Sequence, residues 1–207
     1  MTIPPQQKAI RVDLQIIADM IEPDTRLLDV GCGNGVLLDY LVHFKQVDGR
    51  GIELSTAGVQ SCVSAGLSVI QGDADTDLEA YPDAAFDYVV LSQTLQTVTS
   101  PRIVLEHMLR IGKRAIVSFP NFAYWRLRLH LALHGQMPVS DSLPYHWYDT
   151  PNIHLCTIRD FLDLCHELGV TVERSIALNR EGNVRRIRSS PFLANLLGVQ
   201  AVFMLKK

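Results

Sequence analysis

The stretch Arg26-Leu-Leu-Asp-Val-Gly-Cys-Gly-Asn-Gly35 decides the fold of this chain. Its first half is an apolar run interrupted only by Asp29, a pattern typical of a strand buried on both faces of a parallel sheet. Three glycines follow at alternate positions, and residues 36–44 then carry apolar side chains at helical spacing. The stretch therefore predicts a strand, a glycine turn and a helix in immediate succession.

A glycine turn at this place predicts a ligand site. Glycine accepts a positive φ in a tight turn, and its missing side chain lets a ligand approach the backbone closely. The turn brings that ligand to the N-terminus of a helix, where unpaired N–H groups and the helix dipole attract negative charge. Asp29 ends the strand, and its carboxylate can accept hydrogen bonds from a cationic amine. The predicted ligand-binding loop comprises Gly31, Cys32, Gly33, Asn34 and Gly35.

The spacing of the glycines narrows the class of ligand. A dinucleotide-binding turn has the pattern G-x-G-x-x-G, whereas this turn has the pattern G-x-G-x-G with an acid two positions before the first glycine. That pattern resembles motif I of the class I S-adenosylmethionine (SAM)-dependent methyltransferases, in which the loop lies beneath the methionine part of the cofactor. An ordinary glycine-rich turn is the alternative, and the strand, the acid and the helix around the turn argue against it.

Length and composition indicate one globular domain over residues 1–207. Hydrophobic residues make up 47% of the chain and charged residues 20%, which excludes a disordered chain. The net charge of −3 implies no general attraction to nucleic acid or to an anionic membrane. Since no 18 consecutive residues are apolar and no basic-then-apolar signal segment opens the chain, we expect a soluble, cytoplasmic protein.

The four cysteines predict neither a metal site nor a disulfide framework. Cys32, Cys62, Cys156 and Cys165 lie far apart and form no C-x-x-C pair. Reduced thiols fit a cytoplasmic protein. Cys32 lies within the glycine loop, where the need for a small side chain is the simplest explanation, and we do not predict it to be a nucleophile.

Two further acids fall at the ends of later predicted strands. Glu53 ends a short strand over residues 49–53 and lies 22 residues after the first glycine of the turn. An acid at about this distance commonly accepts hydrogen bonds from ribose hydroxyls, although an exposed strand end is the alternative. Asp73 and Ala74 follow a third strand over residues 67–70.

The methyltransferase pattern implies a role for this second group of acids. In it, the acid of G-D-A accepts a hydrogen bond from the adenine amino group, and the next backbone N–H donates to a ring nitrogen. The resemblance therefore implies that Asp73 and Ala74 contact adenine. Leu54 joins the cofactor site as the neighbour of the ribose-binding acid, whereas Asp75 and Asp77 are expected to face solvent.

The fourth predicted strand, residues 86–91, ends at the floor of the same site. The resemblance implies that Ser92 and Gln93 face the methionine moiety or the methyl group. Many small-molecule methyltransferases have a histidine near the position of Gln96. Glutamine cannot act as a general base, so the sequence offers no catalytic residue at this position.

Strands and helices alternate through the fifth predicted strand, residues 113–119, and such βα units form a doubly wound parallel sheet with helices on both faces. An amphipathic helix over about residues 6–22 precedes the first strand. Two late strands, residues 170–178 and 198–206, predict an antiparallel hairpin at the sheet edge. The prediction is therefore an α/β, Rossmann-like, seven-stranded, mostly parallel sheet, the class I methyltransferase fold, with ligands at the carboxyl ends of the strands.

Residues 122–155 interrupt this alternation. They combine a helix with a segment rich in proline and aromatic residues, which predicts a lid over the ligand site or a docking surface. The aromatic side chains that can line a substrate pocket or contact a partner are Tyr145, Trp147 and Tyr148. A basic group in a later predicted loop, either a solvated patch or a partner or anion site, comprises Arg185, Arg186 and Arg188.

Longer stretches carry a closer resemblance. Ser118-Phe-Pro-Asn-Phe-Ala-Tyr-Trp125 and His154-Leu-Cys-Thr-Ile-Arg-Asp-Phe161 resemble the MetW family of methionine-biosynthesis proteins. The resemblance implies the SAM-methyltransferase fold, SAM or S-adenosylhomocysteine (SAH) as cofactor, and association with homoserine O-acyltransferase (MetX), which MetW proteins are thought to support or activate. It carries over no catalytic base. The cofactor contacts that it carries over are Asp29, Gly31, Gly33, Glu53, Asp73 and Ala74.

Three functions remain open at this point. The first is a SAM-binding regulatory partner of the acyltransferase, and the second is a methyltransferase acting on a small metabolite. The SAM sulfonium makes its methyl electrophilic, so alignment and desolvation can suffice without a base. If a base is needed, the candidates are Tyr145, His146 and His154, for each of which a structural role is favoured. A nucleic-acid methyltransferase ranks last, since the chain has no N-P-P-Y-like motif, basic excess or appended binding module.

Overall fold

The computed structural model describes residues 10–140, 143–187 and 190–207 and forms one eight-stranded sheet with helices on both faces. The strands are β1 Arg26–Val30, β2 Asp48–Glu53, β3 Ser68–Gln71, β4 Phe86–Ser92, β5 Gly112–Pro120, β6 Thr171–Leu178, β7 Val184–Arg186 and β8 Gln200–Lys206. The helices are α1 Val12–Met20, α2 Val36–Lys45, α3 Thr56–Ser64, α4 Pro101–Ile111, α5 Trp125–His134, α6 Ile158–Glu167 and α7 Pro191–Leu197. A short 3₁₀ helix, Asp77–Ala80, precedes β4.

The order of the strands places a crevice next to the glycine turn. The order is β3-β2-β1-β4-β5-β8-β6-β7. The first five strands pair in parallel, and β8 is antiparallel to both of its neighbours. The winding reverses between β1 and β4, and the crevice at such a reversal is where ligands bind in open α/β sheets. The predicted doubly wound α/β fold is confirmed.

Each face of the sheet has its own hydrophobic core. Helices α1, α2 and α3 cover the face that contains Leu27, and α4, α6 and α7 cover the face that contains Leu28, as strand alternation requires. The core on the Leu28 face holds Phe119, Phe161 and Phe203. The ring centroid of Phe161 lies 4.9 Å from that of Phe119 and 4.7 Å from that of Phe203. Burial of each such side chain contributes about 1.5–3 kcal/mol, so this half of the sheet is firmly anchored.

Side-chain caps fix the starts of two helices. The Ser55 hydroxyl accepts a hydrogen bond from the Gly58 N–H at 3.2 Å before α3. Thr157 forms a capping box with Asp160 before α6, because each side chain accepts a hydrogen bond from the backbone N–H of the other residue. Both caps satisfy N–H groups that a helix start otherwise leaves unpaired.

The C-terminal part differs from the sequence prediction. The sheet has eight strands, not seven, because β7 pairs with β6; Arg185 and Arg186 therefore lie on a strand and not in a loop. All three residues of β7 are exposed, so no apolar alternation marks it in the sequence. The sequence prediction also lacks α7, although Ser190 followed by Pro191 is a helix-start signal. Arg188 lies outside the described residues.

The late antiparallel pair forms at a different place from the predicted one. Strand β8 pairs with β6, but it also pairs with β5, so it lies inside the sheet and β7 occupies the edge. At the other end of the chain, α1 begins at Val12, and residues 6–9 of the predicted helix lie outside the described part. Within the described ranges, no helix is long and apolar enough to cross a membrane.

Candidate functional site

A cavity of about 340 Å³ lies at the carboxyl ends of β1 and β4, and we call it the loop cavity. It brings together seven of the predicted site residues, namely Asp29, Gly31, Cys32, Gly33, Asn34, Ser92 and Gln93. Arg11, Leu14, Val36 and Leu37 complete its lining. Of the other predicted site residues, Gly35, Glu53, Leu54, Asp73 and Ala74 are not among the described residues that line it.

The glycine turn has the backbone that its sequence predicts. Gly31 and Gly33 have φ values of 68° and 57°. A Cβ on Gly31 would meet Thr94 Oγ1 at 2.8 Å, whereas a Cβ on Gly33 would meet nothing within 4 Å. Backbone hydrogen bonds fix the turn to β2, since the Gly31 N–H donates to the Ile52 carbonyl at 2.8 Å. The turn is thus fixed to β2 by a backbone hydrogen bond and leaves open space at Gly33, as a ligand-binding loop requires.

Glu53 connects this turn to the end of β2. Its Oε2 accepts a hydrogen bond from the Gly33 N–H at 2.8 Å, and its Oε1 accepts one from the Ser55 N–H at 2.9 Å. Each carboxylate oxygen has a second lone pair, so these bonds leave acceptor capacity for a ligand. The residue therefore holds the loop in addition to the ribose contact predicted for it.

Asp29 supplies the one carboxyl group among the described residues that line the loop cavity. Its side chain is 2% exposed, and its Oδ1 has no hydrogen-bond partner in the described part of the chain. Burial, followed by the negative charge of Glu53, raises the pKa of Asp29 to about 7. A buried polar atom without a partner is costly, and such atoms in native structures commonly mark a site that a ligand completes.

The predicted adenine contacts lie outside the loop cavity, after β3. The Asp73 Oδ1 accepts a hydrogen bond from the Asp75 N–H at 2.9 Å, and the Asp73 N–H donates to Asp77 Oδ2 at 2.8 Å. Ala74 packs against the core on the α4 side of the sheet. Leu54, after β2, is exposed.

Asp77 is exposed, as predicted, whereas Asp75 is half-buried and does not simply face solvent. The two carboxylate oxygens of Asp75 accept hydrogen bonds from the N–H groups of Thr99 and Ser100, each at 2.8 Å. These N–H groups lie at the start of α4, so Asp75 anchors that helix to the turn after β3. Asp77 accepts the Asp73 N–H and so holds the same turn. The sequence does not reveal the Asp75 contacts because the paired groups are 24 and 25 residues apart.

Ser92 and Gln93 are fixed by the buried residue Ser118, for which the sequence predicts no site role. Ser118 Oγ lies 3.2 Å from Ser92 Oγ, and it accepts a hydrogen bond from the Gln93 N–H at 3.1 Å. Gln93 has a φ of 56°, a conformation that non-glycine residues rarely adopt. Ser118 lies on the neighbouring strand β5, so its role follows from strand pairing and has no local signal.

Arg11 and Asp13 are further site residues absent from the sequence prediction. Arg11 lines the loop cavity, and its guanidinium donates to the Asp13 carboxylate from Nε at 3.1 Å and from Nη2 at 2.8 Å. Asp13 is buried and also accepts a hydrogen bond from Gln200 Nε2 at 3.0 Å. Because Asp13 and Gln200 are 187 residues apart, the fold alone reveals that this arginine is held in place.

Cys32 and Cys62 lie against each other behind the loop. Their sulfur atoms are 4.0 Å apart, and Cys62 Sγ donates to the Gly33 carbonyl at 3.4 Å. Burial raises the pKa of both thiols, so they stay protonated at neutral pH. A protonated, buried thiol is a poor nucleophile, which agrees with a packing role for Cys32.

The three candidate bases do not line the loop cavity in the described part of the chain. His154 Nε2 lies 3.3 Å from the Thr99 carbonyl, and its backbone N–H donates to the Gln96 carbonyl. His146 stacks on Tyr148 with the ring centroids 5.4 Å apart. These contacts agree with the structural role that the sequence favours for His154.

A second cavity, of about 500 Å³, adjoins the loop cavity, since Arg11 and Gln93 line both. Its other walls come from the ends of β5 and β8, from the residues after β4, and from the insertion. They include Asp13, Gln96, Thr97, Pro120, Tyr145, Asn152 and Gln200. The insertion also has an outer side, where Trp147 and Tyr148 are 75% and 68% exposed. One aromatic side chain of the insertion therefore borders a cavity, and two face outward.

Comparison with known proteins gives a family and a fold. The family model described as "Methionine biosynthesis protein MetW" matches residues 11–205. The bifunctional methionine biosynthesis protein MetXA/MetW of Rhodopirellula baltica is 35% identical over 181 residues, which are 83% of this chain and 29% of that protein. This chain therefore spans less than a third of the length of that relative.

Solved structures with the same fold include several methyltransferases. A SAM-dependent methyltransferase of Thermotoga maritima, described as a possible histamine N-methyltransferase, has a TM-score of 0.69 at 18% identity over 95% of this chain and 87% of that one. A SAM-dependent methyltransferase of Mesorhizobium loti has a TM-score of 0.69 at 16% identity over 95% and 98%. The cyclase SpnF has a TM-score of 0.65 at 19% identity over 94% and 80%. The chain belongs to the MetW family of methionine biosynthesis and has the class I SAM-methyltransferase fold.

Proposed function

We propose that this MetW-family chain binds SAM or SAH at the carboxyl ends of β1, β2, β3 and β4. The observation that carries the proposal is Asp29, whose Oδ1 is buried without a partner among the described residues, beside an open glycine turn. The cofactor has a cationic amine that can pair with this carboxylate, and pairing would lower the raised pKa of Asp29. The fold of solved SAM-dependent methyltransferases supports the same assignment.

The residues present fit each part of the cofactor. The open backbone at Gly33 admits the methionine part, with Ser92 and Gln93 opposite the turn. Glu53, with unused lone pairs, would accept from the ribose hydroxyls. Beyond the loop cavity, Asp73 and Ala74 would contact adenine. SAM, when bound, would supply an electrophilic methyl group, and the residues named here orient the molecule that carries it.

We further propose that the chain supports or activates a homoserine O-acyltransferase of the MetX type by associating with it. The relative from Rhodopirellula baltica is named as a MetXA and a MetW protein in one polypeptide. Two functions joined in one chain meet at a high effective concentration, which favours a physical contact between them. The insertion offers a docking surface, since Trp147 and Tyr148 face outward. A SAM effect on the acyltransferase additionally requires that SAM bind two states of the chain unequally.

A methyltransferase acting on a small metabolite is the second candidate. The observation that favours it is the second cavity, which meets the loop cavity at Gln93 and so can bring an acceptor next to the cofactor. Alignment and exclusion of water would then supply the catalysis, and Tyr145, which lines the second cavity, is the candidate base if one is needed.

Calorimetry and a mixing experiment test these proposals separately. We expect the intact protein to bind SAM and SAH, and Asp29→Ala to bind neither at comparable concentrations. Homoserine O-acyltransferase mixed with the protein should form a complex visible by analytical ultracentrifugation and should transfer its acyl group faster. An unchanged rate with both proteins folded would rule out the activating role. If Asp29→Ala activates as well as the wild type, the partner role stands without SAM sensing.

A further inference from the structure

The second cavity contains a buried polar group that the fold leaves incomplete. Gln96 is 5% exposed, and its side-chain Nε2 donates to the Gln93 carbonyl at 2.7 Å. Its Oε1 has no hydrogen-bond partner in the parts of the chain that the structure describes. A buried acceptor without a partner calls for a donor from outside the chain.

The same cavity has a cation that the fold has oriented. Arg11 donates from Nε and Nη2 to the buried carboxylate of Asp13, which Gln200 holds from β8. No hydrogen bond from Nη1 is found among the described residues, and Arg11 lines this cavity with a side chain that is 65% exposed. A guanidinium fixed along one edge presents its remaining N–H groups to a carboxylate with little loss of side-chain freedom.

We infer that the second cavity binds a small molecule with a carboxylate at one end and a hydroxyl or amine donor at the other, as in a hydroxy or amino acid. The carboxylate pairs with Arg11, and the donor completes Gln96 Oε1. The volume of about 500 Å³ lies within the range of small-molecule sites. Among the described residues that line this cavity, no acid is left to bind a cation, because Asp13 is already paired with Arg11 and Gln200.

The inference deepens the proposed function. It depends on that function only for the presence of SAM beside this ligand. If SAM occupies the loop cavity, the second ligand lies beyond Gln93, where it is either the acceptor of a methyl group or an effector. Gln96 would bind this ligand through a hydrogen bond without acting as a base.

The test uses L-homoserine as the probe, titrated into the full-length protein with and without saturating SAH and followed by calorimetry and saturation-transfer NMR. Butyrate, which keeps the carboxylate but lacks both donors, is the comparison compound. Gln96→Leu removes the unpaired acceptor at similar volume. Gln15→Leu is the matched control, because it makes the same change outside both cavities. Arg11→Leu removes the cation, and SAH affinity is measured on every variant.

We expect L-homoserine to bind the wild type and Gln15→Leu alike, and to bind at least about tenfold more weakly to Gln96→Leu and Arg11→Leu. Butyrate should bind about tenfold more weakly than L-homoserine to the wild type. No binding of L-homoserine up to about 10 mM, or equal binding to Gln96→Leu, overturns the inference. An Arg11→Leu protein that loses only SAH would show that Arg11 holds the carboxylate of the cofactor instead, which also overturns it.

Failure of the proposed function gives a different result. If the wild type binds L-homoserine but not SAH, and Gln96→Leu no longer binds L-homoserine, the cofactor proposal is refuted. The second cavity then remains a site for the small molecule inferred here.

Discussion

The glycine-turn edge of the sheet and the insertion of residues 122–155 differ in what each leaves without a partner. At the edge, Asp29 is buried and its Oδ1 is unpaired among the described residues, while hydrogen bonds tie the glycine turn to β2. In the insertion, Trp147 and Tyr148 face outward with large apolar surfaces exposed. The edge thus needs a small polar ligand. The insertion instead exposes an apolar surface of the kind that a protein partner covers.

This contrast indicates where each kind of ligand is to be sought. A rigid, buried site with one unpaired charged group selects a small ion or cofactor, because leaving such a group unpaired is strongly destabilising. An exposed aromatic pair destabilises the free chain little and contributes to binding only when a partner excludes water from it. Four predictions test the contrast, and the size of the expected effect decreases from the first to the last.

The largest effect concerns the charge of Asp29 in the ligand-free protein. A folded-state pKa of about 7, above the unfolded value, means that the native state holds a proton that the unfolded state releases. The penalty for ionising Asp29 therefore appears as pH rises from about 4 to 7 and reaches up to about 4 kcal/mol. We expect Asp29→Asn to escape this penalty because an amide does not ionise, so its stability advantage over the wild type should grow across this range. Urea unfolding at several pH values measures it.

A constant difference in unfolding free energy between the two proteins from pH 4 to 8 would contradict the raised pKa of Asp29. Saturating SAH provides the control. Its cationic amine should stabilise the ionised form of Asp29 and so remove most of the pH-dependent advantage of Asp29→Asn over the wild type.

The second prediction concerns SAM binding by the same variant. Asp29→Asn keeps the shape of the side chain but removes the negative charge that would face the amine of the cofactor. We expect SAM and SAH to bind about 100-fold more weakly, in line with the loss of one partner of a buried charge pair. Affinity of the wild type should rise between about pH 6 and 8 as Asp29 ionises, while that of Asp29→Asn should stay flat. A wild-type affinity for SAM that falls as the pH rises would contradict the pairing of ionised Asp29 with the amine of the cofactor.

The third prediction separates backbone strain from close contact in the turn. Gly31→Ala places a Cβ 2.8 Å from Thr94 Oγ1 at a positive φ, and we expect it to lower the free energy of unfolding by about 1–3 kcal/mol. Gly66→Ala has a similarly positive φ of 76° with nothing within 4 Å, so it carries the strain alone. Thermal unfolding of both variants should show the larger loss at Gly31. Equal losses of unfolding free energy in the two variants would mean that the contact between the new Cβ and Thr94 Oγ1 adds no cost.

The smallest effect on stability is expected at the insertion. Trp147→Ala removes a side chain that is 75% exposed, so the unfolding free energy should change by no more than about 0.5 kcal/mol. If the insertion docks the acyltransferase, the same change should weaken the complex about tenfold or more. Phe192→Ala on α7 is the matched control, since Phe192 is similarly exposed elsewhere. Equal weakening by both variants, or by neither, would move the docking surface away from Trp147.

The sequence by itself predicts the features that depend on neighbours in the chain. The turn after Asp29 and the alternation of strands and helices both follow from spacings of a few residues. Parallel topology then brings the ends of β1 and β4 to one edge. The glycine turn names five of the residues that line the loop cavity, and the methyltransferase resemblance adds Ser92 and Gln93.

Groups whose partners are distant in the chain are placed by the tertiary fold alone. Asp75 anchors α4, Ser118 fixes Gln93, and Asp13 is held by Gln200, and none of these pairs leaves a periodic trace in the sequence. The same holds for β8, whose place between β5 and β6 depends on which sheet edge is free to pair with it, and for the exposed strand β7. Local pattern reports burial and turns, whereas pairing between distant elements is determined by packing of the whole chain.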